Sequence, residues 1–417
     1  MASEAEAAQR PLDWLNFFLA DVRDGLGPYL AIYLLTVQHW DEASIGVVLS
    51  VGGIAAILAQ TPAGALIDRT RAKRGVVIAA AVVVTLASLA IPLLPRFWPI
   101  AALQALSGVA GAVFPPAVAA ITLGIVGPRA FARRVGRNEA FNHAGNATAA
   151  AIAGAAAYAF GPIAVFWLMA AMAGASVLAT FSVPGKAIDH DRARGLHGAE
   201  TEAVREQPSG FRVLLTCRPL LIFAASTTLF HFANAAMLPL VGQKLALSAP
   251  GLGTTLMSVC IVAAQAVMVP VAALVGARAD IWGRKPIFAV ALLVLAIRGA
   301  LYPVSDDPYW LVGVQLLDGV GAGIFGALFP LVVADLTQGT GHFNVAQGAI
   351  ATAQGLGAAL SNALAGLIVV RAGYGAAFLF LAAVAASGLA LFWTLMPETE
   401  EALAPTVSPR TAPAAPR

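Results

Sequence analysis

A chain of 417 residues that is 59% hydrophobic and only 11% charged cannot cover itself with polar surface in water, because soluble globular domains carry roughly 25% charged residues. Mean hydropathy of +0.80 points to a bilayer, and a formal charge of +3 gives no reason to expect a nucleic-acid partner. Cys217 and Cys260 lie too far apart for a disulfide framework or a cysteine metal box.

The opening "MASEAEAAQR" is acidic and not apolar, so residues 1–13 read as a cytoplasmic segment and not as a secretory signal. A crossing helix needs about 20 mostly apolar residues. Twelve stretches meet that length: 14–38, 43–66, 75–95, 97–126, 139–160, 162–182, 219–242, 250–277, 286–303, 308–337, 343–370 and 374–396. Span 1 holds "ADVRDG", with Asp21, Arg23 and Asp24 near its middle. A charge facing lipid at that depth costs at least ~2.5–3.5 kcal/mol, so these three must face protein or water. At ~100° per residue Asp21 and Asp24 share a helix face. Span 4 carries Pro115 and Pro116, which predict a kink. The polar stretch between spans 6 and 7, residues 184–218, divides the chain into bundles at 14–183 and 219–396, and the Pro-rich residues 397–417 read as a disordered cytoplasmic tail.

With the N-terminus placed in the cytoplasm, twenty Lys and Arg fall in cytoplasmic connections and three (Arg96, Lys244, Arg371) in external ones. That asymmetry predicts cytoplasmic termini in an inner or plasma membrane. The halves also repeat at an offset of 211–212 residues: "LQALSGVAGAVF" from Leu103 matches "VQLLDGVGAGIF" from Val314, Gly145 falls on Gly357, and Pro28 on Pro239. Six spans separate the copies, so both halves have the same orientation, as parallel repeats with a site between them at the midplane. The expected fold is all-α, twelve membrane helices in two six-helix repeats.

"GALIDRTRAKR" after span 2 and "GARADIWGRKP" after span 8 place Gly64, Asp68 and Arg69 against Gly276, Asp280, Gly283 and Arg284. A positive loop alone needs only the Lys and Arg, not the recurring Gly and Asp. These loops resemble the signature of the major facilitator superfamily, although Arg71 stands where that signature usually has glycine. The resemblance covers about residues 12–396. It implies alternating access, a cavity lined by spans 1, 4, 7 and 10 and flanked by 2, 5, 8 and 11, and peripheral spans 3, 6, 9 and 12. It makes the two loops gating motifs. In a peripheral span, Arg298 is expected to snorkel to the outer interface. The arginine common in span 4 of the family's drug exporters is replaced by Gln104, and span 5 lacks their Gly-Pro pair, so direction stays open.

Polar residues on the inner spans form the candidate substrate site: Asp21, Arg23, Asp24, Gln104, Asn142, His143, Asn146, His231, Asn234, Gln315, Asp318 and Gln354. Lone buried amides can also serve only to join helices, at roughly 0.6 kcal/mol per bond. A structural Asp–Arg pair within span 1 is the rival reading of its charges. Asp21, Asp24 and Asp318 are the candidates for a proton-carrying carboxylate, since burial raises such a group toward neutrality. His143 and His231 are candidate ligands in a lesser metal reading. The leading expectation is a secondary transporter, proton-coupled and exporting a small molecule. The alternative is uptake of an anionic metabolite, a metal ion or a siderophore-like chelate. A monomer in the lipid bilayer is expected, with no cofactor. No nucleophile–base motif or nucleotide-binding loop appears, which argues against an enzyme or an ATP-driven pump.

Overall fold

The computed structural model describes residues 8–24, 26–191, 193, 217–337 and 343–399. Most of the connection between spans 6 and 7 and the tail from residue 400 lie outside the described residues, as do the side chains of Arg23, Asp24, Asp68 and Asp280. Among the described residues the chain is helical throughout, without a strand.

The twelve expected spans are present, several of them broken. Span 1 is two helices, Gln9–Asp24 and Leu26–Thr36. Span 7 is likewise Arg218–Ala235 followed by Met237–Ser248. Span 4 breaks after Phe97–Gly111 and resumes at Phe114. Each break lies a few residues before a proline (Pro28, Pro239, Pro115), where the missing N–H and the ring's clash with the preceding turn interrupt the helical ladder. The helix from Phe114 to Phe160 joins the end of span 4 to span 5 across Gly127 (φ 69°), and Phe343–Leu395 joins spans 11 and 12 across Gly373 (φ 82°). Positive φ is costly for a side chain with a Cβ and free for glycine. Gly161 at the end of span 5 has the same φ of 82° one repeat earlier, so the repeat extends to the turns.

Peripheral surfaces carry exposed Leu86, Trp167, Leu178 and Trp393, the apolar exterior that lipid requires. The C-terminal half has one large core around Phe223, Phe288, Phe325 and Phe392. The N-terminal half packs smaller residues, with Ala and Val around Phe114.

The halves meet mainly through spans 2 and 11 and through spans 5 and 8. The hydrogen bonds described between them run from the midplane toward the face away from the basic loops. Ser50 Oγ donates to the Ala359 carbonyl at 2.5 Å, Thr255 Oγ1 to the Gly154 carbonyl at 2.9 Å, and Tyr374 to Glu42 at 3.0 Å; Tyr29 bonds Ser258 at 2.9 Å. Glycine permits this approach: a Cβ on Gly46 would stand 2.2 Å from the Asn362 carbonyl oxygen, and one on Gly366 2.3 Å from that of Glu42. The molecule is sealed on that face, and its main cavity lies on the basic side of the seal.

Candidate functional site

The cavity between the halves measures about 620 Å³ and is walled by spans 1, 2, 3, 4, 6, 7, 9, 10 and 11, within the ~300–1,000 Å³ typical of small-molecule sites. The helix breaks build it. Leu26, Gly27 and Pro28 of span 1, Leu238 and Pro239 of span 7, and Gly111, Ala112 and Pro115 of span 4 reach its wall at the interruptions.

One side of the wall is charged. Arg298 of span 9 points inward, 1% exposed, and does not snorkel to the interface. Its Nη1 donates to Asp318 Oδ1 and, at 2.6 Å, to Asn234 Oδ1. Nη2 donates to Gln315 Oε1 at 3.2 Å and Nε to the Tyr302 hydroxyl at 2.9 Å. Tyr302 in turn donates to Gln315 Oε1, and Gln315 Nε2 donates to Asp318 Oδ2 at 3.0 Å. The ring satisfies both charges. A buried ion pair in a low dielectric is tolerable only with such surrounding hydrogen bonds. Arg298 and Tyr302 stand one turn apart on span 9, and Gln315 and Asp318 one turn apart on span 10, so two helix faces suffice to assemble it. Asp318 has an 18% exposed side chain and lines the cavity together with the less exposed Arg298.

The expectation for Arg298 went wrong because it rested on the outer position of span 9 and not on charge balance. Asp318 was recognised as a buried carboxylate. Arg298 is the cation that the sequence places inside a span of the same half, and that was the available signal. Tyr302 was missed with it.

The other wall is neutral. Gln104 and Ser107, one repeat before Gln315 and Asp318, line the cavity, and the Ser107 hydroxyl is buried without a partner. No charged residue of the first half is among the described lining residues. Asp21 is buried, 7% exposed, beside the lining residue Val22. Arg23 and Asp24 lie outside the described side chains.

The remaining candidates are dispersed. Asn142 lines a second cavity of about 170 Å³ with Asn16 and Asn138, and Pro115 lines both cavities. Asn146 is half-buried in span 5. His143 Nδ1, His231 Nε2 and Gln354 Nε2 are buried without hydrogen-bond partners. The His231 ring meets Phe325 edge-on at 4.8 Å. Among the described residues no three His, Cys, Asp or Glu side chains gather as a metal would require.

Near the basic face two networks hold helix ends together. Asp13, at the start of span 1, accepts from Arg134 Nη2 at 2.7 Å and from Arg137 Nη2 at 2.6 Å and Nε at 2.9 Å. Burial lowers the Arg134 pKa against the pull of Asp13, while the hydrogen bond to Asp13 raises that of Arg137. In the second loop motif Arg284 Nε donates to Asp335 Oδ2 at 3.0 Å, and Glu398 accepts from the Arg284 and Lys285 backbone N–H groups. Gly283 (φ 82°) makes room for Glu398, whose Oε2 would stand 2.8 Å from a Cβ there. In the first motif Lys73, 1% exposed, caps the end of span 2 by donating to the Ile67 and Thr70 carbonyls at 2.6 and 3.0 Å. These described contacts lie within single halves. Gly64 and Gly276 have no heavy atom within 4 Å of a built Cβ.

Twelve spans in two parallel repeats around a central cavity define a multi-pass membrane transporter. A family model described as Major Facilitator Superfamily matches residues 14–278 and again 263–416, and the chain belongs to that family. It is 65% identical over 390 residues to the uncharacterized MFS-type transporters MT2531 and Rv2456c of two strains of Mycobacterium tuberculosis, spanning 94% of this chain and 93% of each relative. Its fold is similar to that of the nucleoside transporter NupG (TM-score 0.77, 15% identity, 93% of this chain and 98% of that one). It is similar also to a D-xylose-proton symporter (TM-score 0.72, 13% identity, 95% and 98%). At those identities the likeness concerns the fold alone.

Proposed function

We propose that this chain is a proton-coupled exporter of a small molecule, with the Arg298–Asp318 pair as its coupling centre. The observation that carries the reading is a carboxylate on the cavity wall whose only charged partner among the described residues is the guanidinium behind it. A proton on Asp318 removes that partner's counter-charge, and leaving Arg298 charged and unpaired in a buried place is costly. Protonation therefore favours a different packing of spans 9 and 10 against span 7, whose outer helix Met237–Ser248 packs on span 1, and this couples the proton to the seal. Substrate and proton compete for the one exposed side of Asp318. Competition gives exchange, and under an inward proton gradient exchange means export. The basic loops are assigned to the cytoplasmic face of the inner membrane by the positive-inside rule, and the described state is then open toward the cytoplasm.

Uptake is the second reading. It requires a substrate anion to replace Asp318 on Arg298 when the carboxylate is protonated. Reconstituted protein separates the two by direction, since an exporter moves substrate against the flow of protons and uptake moves it with them, and the same vesicles test Asp318 in either case. Asp318→Asn should abolish transport driven by a pH gradient and preserve substrate-for-substrate exchange. Gradient-driven transport at the parental rate in that variant would remove Asp318 from the coupling step. Asp21 is the second carboxylate to be treated in the same way.

A further inference from the structure

Asp318 and Arg298 differ in what they can offer a molecule in the cavity. Arg298 is 1% exposed and has committed four of its five N–H donors to Asp318, Asn234, Gln315 and Tyr302. An anion would have to dismantle this fork before it gained a bidentate contact. Among the described residues Asp318 accepts one bond on each oxygen, from Arg298 and from Gln315, and its 18% exposed side chain lines the cavity with acceptor capacity left. A donor can join it without breaking anything.

The rest of the wall says what is attached to that donor. Val22, Leu26, Leu49, Ile57, Met169 and Leu238 are aliphatic, and no aromatic side chain is among the described lining residues. A planar base or a sugar ring would find no ring face to stack on. The polar groups away from the ion pair, Gln60, Gln104, Ser107 and Asn362, are neutral and spread out.

We infer that the cavity takes an aliphatic amine in its protonated form, its ammonium group on Asp318 and its hydrocarbon body against the opposite wall. This rests on the reading of the Arg298–Asp318 pair as the transport centre. The exchange balances in charge. A proton on Asp318 beside charged Arg298 leaves the site one positive charge. An ammonium on ionised Asp318 beside Arg298 leaves it the same, so one cation replaces the other.

The test uses the full-length protein in nanodiscs and follows its melting temperature with three probes: cyclohexylmethylammonium, cyclohexanecarboxylate and adenosine. The amine should raise Tm saturably, while the carboxylate and adenosine leave it in place. The rise should vanish in Asp318→Asn and persist in Asp318→Glu. In the parent protein the amine's apparent affinity should weaken as pH falls, because protons compete for the same oxygen; this measurement stands even where Asp318→Asn does not fold. No amine response, or an affinity independent of pH, overturns the inference. A Tm rise with the carboxylate alone that is lost in Arg298→Ala overturns the substrate class and leaves the ion pair as the centre. An amine response undiminished in Asp318→Asn overturns both.

Discussion

Arg298 and Asp13 show how burial decides what an ion pair is worth. Arg298 is enclosed and Asp318 partly so, and removing one partner leaves the other as an uncompensated charge. Arg298→Ala should cost about 3 kcal/mol, the low end for a broken buried pair because cavity water reaches Asp318. Adding Asp318→Asn should recover a large part of that loss in a thermal double-mutant cycle. If the two losses simply add, the residues do not act as a pair. Asp13 gives an internal comparison. It holds Arg134, with a side chain 3% exposed, and Arg137, with one 55% exposed. Arg134→Ala strands a buried Asp13 and should lower Tm markedly, whereas Arg137→Ala should change it little, as exposed pairs do. Equal losses would mean that Asp13 depends on both alike. At this scale the sequence was only partly legible. Asp318, Gln315 and Asn234 were readable as costly polar groups at depth. Arg298 and Tyr302 were not, because the groups that draw them inward, Asp318, Gln315 and Asn234, lie on other helices and the i, i+4 spacing within span 9 does not reveal them.

At the scale of helices, the break in span 4 was legible from Pro115 and Pro116, whereas Pro28 and Pro239 marked the halves as copies without being read as the cause of breaks in spans 1 and 7. The seal was not legible. Gly46 and Gly366 look like other small residues of a membrane helix, and only the crossing of spans 2 and 11 reveals that a carbonyl lies against each. Gly46→Leu should force these spans apart and raise alkylation of a cysteine placed in the cavity by a reagent added from the face that is sealed here. Gly64→Leu meets nothing in the described state and should be tolerated in it. It should block closure of the basic face instead, so that alkylation from the formerly sealed side falls below the parent's. Identical behaviour of the two variants would contradict the assignment of the two ends of span 2 to opposite gates.

The whole molecule repeats in its backbone and diverges in its chemistry. Six-helix repeats, orientation bias and loop motifs could be read from the chain because each recurs at a fixed offset or obeys a count. The charged ring has no counterpart in the first half: Gln104 and Ser107 stand where Gln315 and Asp318 would be, and Ala87 where Arg298 would be. Among the described lining residues the second half thus supplies the charge and the first half only neutral groups, an asymmetry that suits a centre driving one half against the other. The direct test places spin labels at Val37→Cys and Ser248→Cys, at the ends of spans 1 and 7 either side of the seal, with Cys217 and Cys260 replaced by Ala, and measures their separation as a function of pH. In the parent sequence the population with separated labels should grow as pH falls, and Asp318→Asn should show that low-pH distribution at every pH. An Asp318→Asn variant that keeps the parent's pH response would contradict the account.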